Sequence, residues 1–236
     1  MTSETTRAHE ILVVDDNRPL RLSLRRVFET DGYAVREARN GDEALAAIAE
    51  RRPDVVLLDV DMPVRGGFST CEEIRRADPL LPVIFLTAMD SEADMVRGFA
   101  QGGDDYIPKS DPFYLQVARA SVRRALERSA AFASGGDGAR TVKLGRIRVD
   151  CAQHRVFDGE REIARLTASE TDILRLLASE RARHFSYGEI LAAVRGENYA
   201  ADPSTVRSHV CRLRQKLGVA GEMIVGEREL GYALLK

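Results

Sequence analysis

The chain reads as two domains, an α/β domain built on a parallel sheet followed by a smaller α+β domain. Three observations predict this. Short apolar runs alternate with helical patterns through the first half, the mark of βα units. A small, Gly-rich stretch, Ser129 to Gly138, then reads as a flexible linker. Beyond it lie short strand-like runs, three helical patterns and a terminal hairpin. At 236 residues there is room for two ordinary domains. The expected division is 1–128, a linker at 129–140, and 141–236.

Ile11 to Val14 is the first strand. The first helix begins near Asn17 and carries Leu20, Leu24, Val27 and Phe28 at helical spacing. Gly32 closes it, and Tyr33-Ala34-Val35 reads as a strand. A helix near Asp42 to Glu50 turns Ala44, Leu45 and Ile48 inward. Val55 to Leu58, Val83 to Leu86 and Asp104 to Pro108 supply further strands. Helices near Gly67 to Arg76, Ser91 to Gln101 and Phe113 to Arg128 complete five βα units. The second domain opens with three strand-like runs, Val142 to Val149, Arg155 to Phe157 and Glu162 to Leu166, with a turn at Asp158-Gly159. Helices at about Ala168 to Ser179, Tyr187 to Val194 and Pro203 to Leu217 follow. Met223 to Leu235 reads as a hairpin with its tip near Glu227 to Leu230.

Composition narrows the function classes. The chain is 44% hydrophobic and 31% charged, a globular balance rather than a disordered one. No apolar run approaches the roughly 20 residues of a membrane helix, and Met1 to Glu10 lacks an apolar signal-peptide core. A cytoplasmic location follows as the expectation. Cys71, Cys151 and Cys211 are scattered, which predicts reduced thiols. His9, His154, His184 and His209 show no metal spacing or triad arrangement, so nucleophilic hydrolysis has no support. Residues 1–125 carry 17 Lys+Arg against 22 Asp+Glu, net −5. Residues 126–236 carry 18 against 15, net +3. An acidic half followed by a basic half fits a metal and phosphoryl site joined to a nucleic-acid reader.

The strand ends carry the chemistry. Ile11 to Val14 ends in Asp15-Asp16, and Val55 to Leu58 ends in Asp59. Carboxylates at the ends of buried strands are costly unless a cation meets them. Three acids at one sheet edge suit a hard divalent cation such as Mg²⁺. The fourth strand ends in Thr87 and the fifth in Lys109. Acid, acid, hydroxyl and ammonium at the carboxyl edge of a parallel sheet, where ligands gather, make a phosphoryl-accepting pocket.

This order resembles the receiver domain of two-component response regulators over roughly residues 9 to 126, with Pro63 and Gly67 placed as in the receiver loop that follows the acceptor. The resemblance implies a (βα)5 flavodoxin-like, doubly wound fold. It makes Asp59 the phosphoacceptor and gives the Mg²⁺ to Asp15, Asp16, Asp59 and the backbone carbonyl of Asp61. Thr87 and Lys109 would contact phosphoryl oxygens, and Tyr106 with Thr87 would form the switch. A sensor histidine kinase is the implied donor. Receivers normally follow the Lys with Pro, often in cis, whereas Ser110 stands here. A non-proline cis bond costs roughly 3–4 kcal/mol, so a trans bond is expected.

In the second half, Val206, Val210, Leu213 and Leu217 form one apolar stripe. The other faces carry Ser204, Thr205, Arg207, Ser208, His209, Arg212, Arg214 and Lys216, donors suited to phosphates and base edges. Leu166-Thr167-Ala168-Ser169-Glu170, then Leu213-Arg214-Gln215-Lys216-Leu217, then Gly231-Tyr232 resemble the phrases of the winged helix-turn-helix of the OmpR/PhoB regulators over residues 141–236. By that resemblance Ser204, Thr205, Ser208, His209 and Arg212 face the groove of double-stranded promoter DNA. Arg207, Arg214 and Arg228 would meet phosphates. The wing reads Glu227-Arg228-Glu229, one cation between two anions.

Phosphorylation in this family promotes homodimerisation through the surface of the fourth helix, fifth strand and fifth helix. Here that surface comprises Met95, Phe99, Asp105, Leu115 and Arg119. Asp105 and Arg119 match a family ion pair, while Met95 and Leu115 would make an apolar contact in place of a second. RNA polymerase is a possible further contact. The implied protein takes part in its own phosphorylation and dephosphorylation without being a turnover enzyme. Two rival readings remain. One is a phosphorylation-independent regulator, suggested by Ser110, Asp61 and the altered dimer surface. The other is a haloacid-dehalogenase-like phosphatase, suggested by Asp59-Val60-Asp61 but opposed by Pro63 and by Asp104-Asp105 preceding Lys109.

Overall fold

The computed structural model describes residues 8–88, 98, 101–133, 141–195 and 203–236. It divides into two compact units, Met1–Asp90 with Asp105–Leu126, and Ser91–Asp104 with Glu127–Lys236. In the first unit, β1 (Glu10–Val14), β2 (Ala34–Ala38), β3 (Val55–Leu58), β4 (Val83–Thr87) and β5 (Asp105–Pro108) form one sheet ordered β2-β1-β3-β4-β5. Every pairing in it is parallel. This is the doubly wound order with its switch point between β1 and β3.

Helices α1 (Arg18–Thr30), α2 (Gly41–Glu50), α3 (Gly67–Ala77) and α4 (Tyr114–Ala133) connect or follow these strands. The helix predicted near Ser91 to Gln101, with Met95 and Phe99, lies largely outside the described residues. Every residue of β1, β3 and β4 is buried, as expected of strands covered on both faces. Leu24 and Phe28 of α1 and Ala118, Val122, Ala125 and Leu126 of α4 share a core with Ile11, Val13, Leu57, Ile84, Leu86 and Ile107. Asn17 caps α1 by accepting from the Leu20 amide at 3.1 Å.

In the second unit, β6 (Thr141–Leu144), β7 (Ile147–Asp150), β8 (Arg155–Asp158) and β9 (Arg161–Arg165) form an antiparallel sheet. Then come α5 (Ala168–Ser179), α6 (Tyr187–Arg195), α7 (Pro203–Leu217), a 3-10 turn (Gly218–Met223) and the hairpin β10 (Ile224–Glu227) and β11 (Gly231–Leu234). Val206, Val210, Leu213 and Leu217 lie in one core with Leu166, Ile173 and Leu177, so the apolar stripe points where its spacing said.

Two expectations need correction. The single run Val142 to Val149 is two strands, because Gly145 at φ +60° turns the chain tightly between Leu144 and Ile147. The linker does not begin at Ser129. Helix α4 continues through Ala133, and three alanines among the last four residues favour that continuation. Residues 134–140 of the predicted linker lie outside the described residues.

Candidate functional site

Strand order brings the pocket together. The Asp59 amide donates to the Val14 carbonyl at 2.8 Å, extending the β1–β3 ladder by one step and setting Asp59 beside Asp15. The Lys109 amide donates to the Thr87 carbonyl at 2.7 Å, so the ends of β4 and β5 are likewise in step. Lys109 Nζ then lies 2.7 Å from Asp15 Oδ2 and 3.1 Å from Asp59 Oδ2. Carboxylate oxygens of Asp15, Asp16 and Asp59 all lie within 4.8 Å of one another. Asp15, Asp59 and Thr87 are buried while Asp16 is exposed, so the group opens to solvent on one side.

The electrostatics are unbalanced. Burial raises the Asp59 carboxyl above its ordinary range. Lys109 opposes that rise, and the neighbouring Asp15 carboxylate adds to it. Among the described residues, one ammonium set against three acids leaves net negative charge.

Asp61 is exposed and stands outside this three-carboxylate group. Gly67 explains its own position: a Cβ there would collide with the Asp59 carbonyl oxygen. Only glycine lets α3 approach the acceptor so closely. Val64, between Pro63 and Gly67, sits at φ +69°, an uncommon conformation for a β-branched residue. Tyr106 is buried with its ring 5.9 Å from that of Phe85. No peptide bond among the described residues is cis, so Ser110 follows Lys109 in trans as expected.

Sequence reasoning passed over Arg21. Its Nη1 donates to the Asp15 carbonyl at 2.6 Å, and its Nε lies 3.3 Å from Glu37 Oε2. The one signal for it was a cation one turn into the helix that follows Asp16.

The proposed dimer surface is altered. Asp105 is buried and accepts from Ser121 Oγ at 2.5 Å and from the Tyr106 amide at 2.8 Å. Arg119 Nε donates to Asp31 at 2.7 Å. Within the chain, Asp105 therefore points inward and Arg119 is met by Asp31. Leu115 is half-buried beside the core.

The polar faces of α7 also need correction. Ser204, Thr205, Ser208, His209 and Arg212 are buried rather than open to a groove. Arg212 is drawn inward electrostatically: its Nε lies 3.6 Å from Glu170 Oε1 and its Nη2 donates to His209 Nδ1 at 3.0 Å. The helix is not buried all round, because Arg207, Cys211 and Gln215 are exposed. Arg214 is half-buried and donates to the Ile224 carbonyl at 2.7 Å, tying α7 to the hairpin rather than reaching outward. Arg228 at the hairpin tip is exposed. Gly231, at φ +100°, packs so closely on Phe185 that a Cβ would strike its carbonyl oxygen.

Residues 11–123 match the family described as response regulator receiver domain. Residues 160–234 match the family described as transcriptional regulatory protein, C terminal. Response regulator MprA of Mycolicibacterium vanbaalenii is 37% identical over 226 residues, covering 95% of this chain and 96% of the relative. MprA of Mycobacterium avium is 37% identical over 228 residues, covering 95% and 97%. The crystal structure of DrrB, a Thermotoga maritima OmpR/PhoB homolog, is 25% identical with a TM-score of 0.51, covering 98% of this chain and all of that one. A solved mutant of RitR shares the fold at 22% identity and a TM-score of 0.76, covering 97% of this chain and all of that one. With both domains matched in order and relatives aligned over nearly its whole length, the chain belongs to the OmpR/PhoB-type response regulators, a flavodoxin-like receiver joined to a winged-helix DNA-binding domain.

Proposed function

We propose that Asp59 takes a phosphoryl group from a phosphohistidine on a sensor histidine kinase, and that this controls dimerisation and promoter binding. The coarser statement already stands: the chain is a transcriptional two-component regulator, not a turnover enzyme in the usual sense. The observation that carries the finer reading is Lys109 Nζ lying 3.1 Å from Asp59 and 2.7 Å from Asp15 within one acidic group.

The residues fit a divalent cation. Their donors are all carboxylate oxygens, as hard cations prefer, and Asp59 is an anion whose burial Lys109 alone does not offset. Asp15, Asp16, Asp59 and the Asp61 carbonyl would hold Mg²⁺. Bound there, it would neutralise phosphoryl oxygens as charge develops. In the transfer, the Asp59 carboxylate attacks in line, its O–P bond forming as the donor's N–P bond breaks, and the imidazole leaves. Lys109 and Thr87 receive the phosphoryl oxygens.

The new dianionic group attracts Thr87, and Tyr106 responds as the second half of the switch. Dimerisation would then rest on Leu115 with Met95 and Phe99, the last two outside the described residues, more than on Asp105 and Arg119. Arg207 and Arg228 are exposed and suited to phosphates. Base reading by Ser204, Thr205, Ser208 and His209 requires that they first be uncovered. The kinase, promoter DNA and, as a further partner, RNA polymerase would be met in the cytoplasm. Among the described residues no helix is long and apolar enough to cross a membrane.

The test is labelling with acetyl phosphate. The reading expects one phosphoryl group per chain, lost with Asp59→Asn and with chelation of divalent metal. Label that persists in Asp59→Asn would defeat it.

A further inference from the structure

Glu170, in the second unit, is a charged residue with no exposed surface. It begins as a local device. Thr167 and Glu170 form a reciprocal capping box at the start of α5, with Glu170 Oε2 accepting from the Thr167 amide at 2.8 Å. Capping explains the carboxylate at this position but not its burial as an anion. Burial pushes its carboxyl upward, yet Arg212 and Lys216 outweigh that and hold it below the usual carboxylate range.

Lys216 Nζ donates to Oε2 at 2.7 Å. Arg212 faces the other oxygen, Oε1, from 3.6 Å, beyond hydrogen-bonding distance. Neither Arg212 Nε nor Glu170 Oε1 has a hydrogen-bond partner among the described residues. The guanidinium is thus held inward by one hydrogen bond, from Nη2 to His209, while its Nε is left without one among the described residues. A buried donor left unpaired is costly, so a phosphate oxygen or base acceptor is a competitive alternative for it.

We propose that Glu170 is a positioning residue for DNA recognition: it withholds Arg212 from the outer face of α7, and DNA must compete with it for that side chain. This rests on the DNA-binding reading of α7 above. It also gives the Leu-Thr-x-x-Glu phrase a role in recognition as well as in starting a helix.

The test is the salt dependence of binding by the full chain, treated with acetyl phosphate and Mg²⁺, to a fluorescent random-sequence duplex. Each additional phosphate that the protein neutralises steepens the slope of log K against log salt by about 0.9. Arg212→Met alone should leave the slope of the native chain unchanged. Glu170→Gln keeps an acceptor for the capping box and should steepen the slope by about 0.9, the value for one phosphate. Adding Arg212→Met to Glu170→Gln should return the native slope.

A structural role alone would lower affinity in Glu170→Gln without steepening the slope. Where Glu170→Gln folds poorly, Glu170→Gln with Lys216→Met, referred to Lys216→Met alone, leaves one buried cation fewer and asks the same question. A slope already shallower in Arg212→Met overturns the proposal, because Arg212 then touches DNA in the native chain. So does an unchanged slope in both Glu170 variants. If the native chain fails to bind any duplex, the DNA-binding reading fails first and the proposal falls with it. A native chain that binds, with the slopes unmoved, removes only the role given to Glu170.

Discussion

Lys109→Met removes the cation that the structure places among the pocket carboxylates, and the size of the effect can be worked out. Lys109 Nζ stands 2.7 Å from Asp15 and 3.1 Å from Asp59. At an effective dielectric near 20, each contact is worth about 5–6 kcal/mol before desolvation. Both carboxylates are almost wholly buried and the ammonium mostly so, at 3%, 7% and 17% side-chain exposure, so desolvation consumes much of that gain. Removing one partner of a buried pair typically costs about 3–5 kcal/mol. The open side of the pocket argues for the lower end, about 3 kcal/mol. Urea melts of the full chain, followed at the transition that Mg²⁺ shifts, would measure it in chelator and at saturating metal. The deficit should appear in chelator and narrow with Mg²⁺, because a cation among the three acids replaces the lost charge. Native and variant chains of equal stability in chelator, or a deficit that Mg²⁺ leaves untouched, would show that Lys109 does not neutralise these carboxylates.

Other outcomes follow from single residues. Val64 is 82% exposed at φ +69°. Val64→Gly should therefore stabilise the receiver by about 0.5–1 kcal/mol, the relief of left-handed strain less the added freedom of the unfolded chain; a lower urea midpoint would contradict this. Gly67→Ala drives a Cβ into the backbone of Asp59 and Val60. It should cost about 1–3 kcal/mol, as overpacking does, and slow acetyl phosphate labelling, whereas native stability and labelling together would remove the close-approach argument. His154 is buried, its Nδ1 lies 2.7 Å from Thr171 Oγ1, and burial lowers its pKa to about 4. Its neutral form therefore stabilises the fold above about pH 6.5, and that contribution is lost as pH falls towards 4. From linkage the loss is about 3 kcal/mol. The gap between native and His154→Asn stability should shrink by about that much over this window, and a gap independent of pH would show the ring is not held neutral.

The receiver pocket was legible because its logic is one-dimensional. A carboxylate that ends a buried apolar run is conspicuous in the sequence, and strand order alone then decides which ends meet. Asp15, Asp59, Thr87 and Lys109 each end or directly follow such a strand. Arg21 was not legible, because a cation in a helix is ordinary until the helix is seen to pass the Asp15 carbonyl. In the second unit, the stripe from Val206 to Leu217 was readable from helical spacing. The inward turn of Arg212 was not, because periodicity reports a helix's apolar side and is silent on a buried anion 42 positions earlier, at Glu170. Likewise a run from Val142 to Val149 looks continuous until Gly145 adopts a positive φ. The helix past Ser129 could have been read from its alanines, but the glycines beginning at 135 dominated that stretch.

The most direct measurement is DNA affinity of native and Asp59→Asn chains, each with and without acetyl phosphate, on a duplex that the native chain selects from genomic fragments. The phosphodonor should tighten native binding by about tenfold, within the roughly 1–3 kcal/mol range of typical coupling energies, and leave Asp59→Asn unmoved. Native affinity indifferent to the donor and equal to that of Asp59→Asn would contradict it, leaving a receiver that only packs and dimerises.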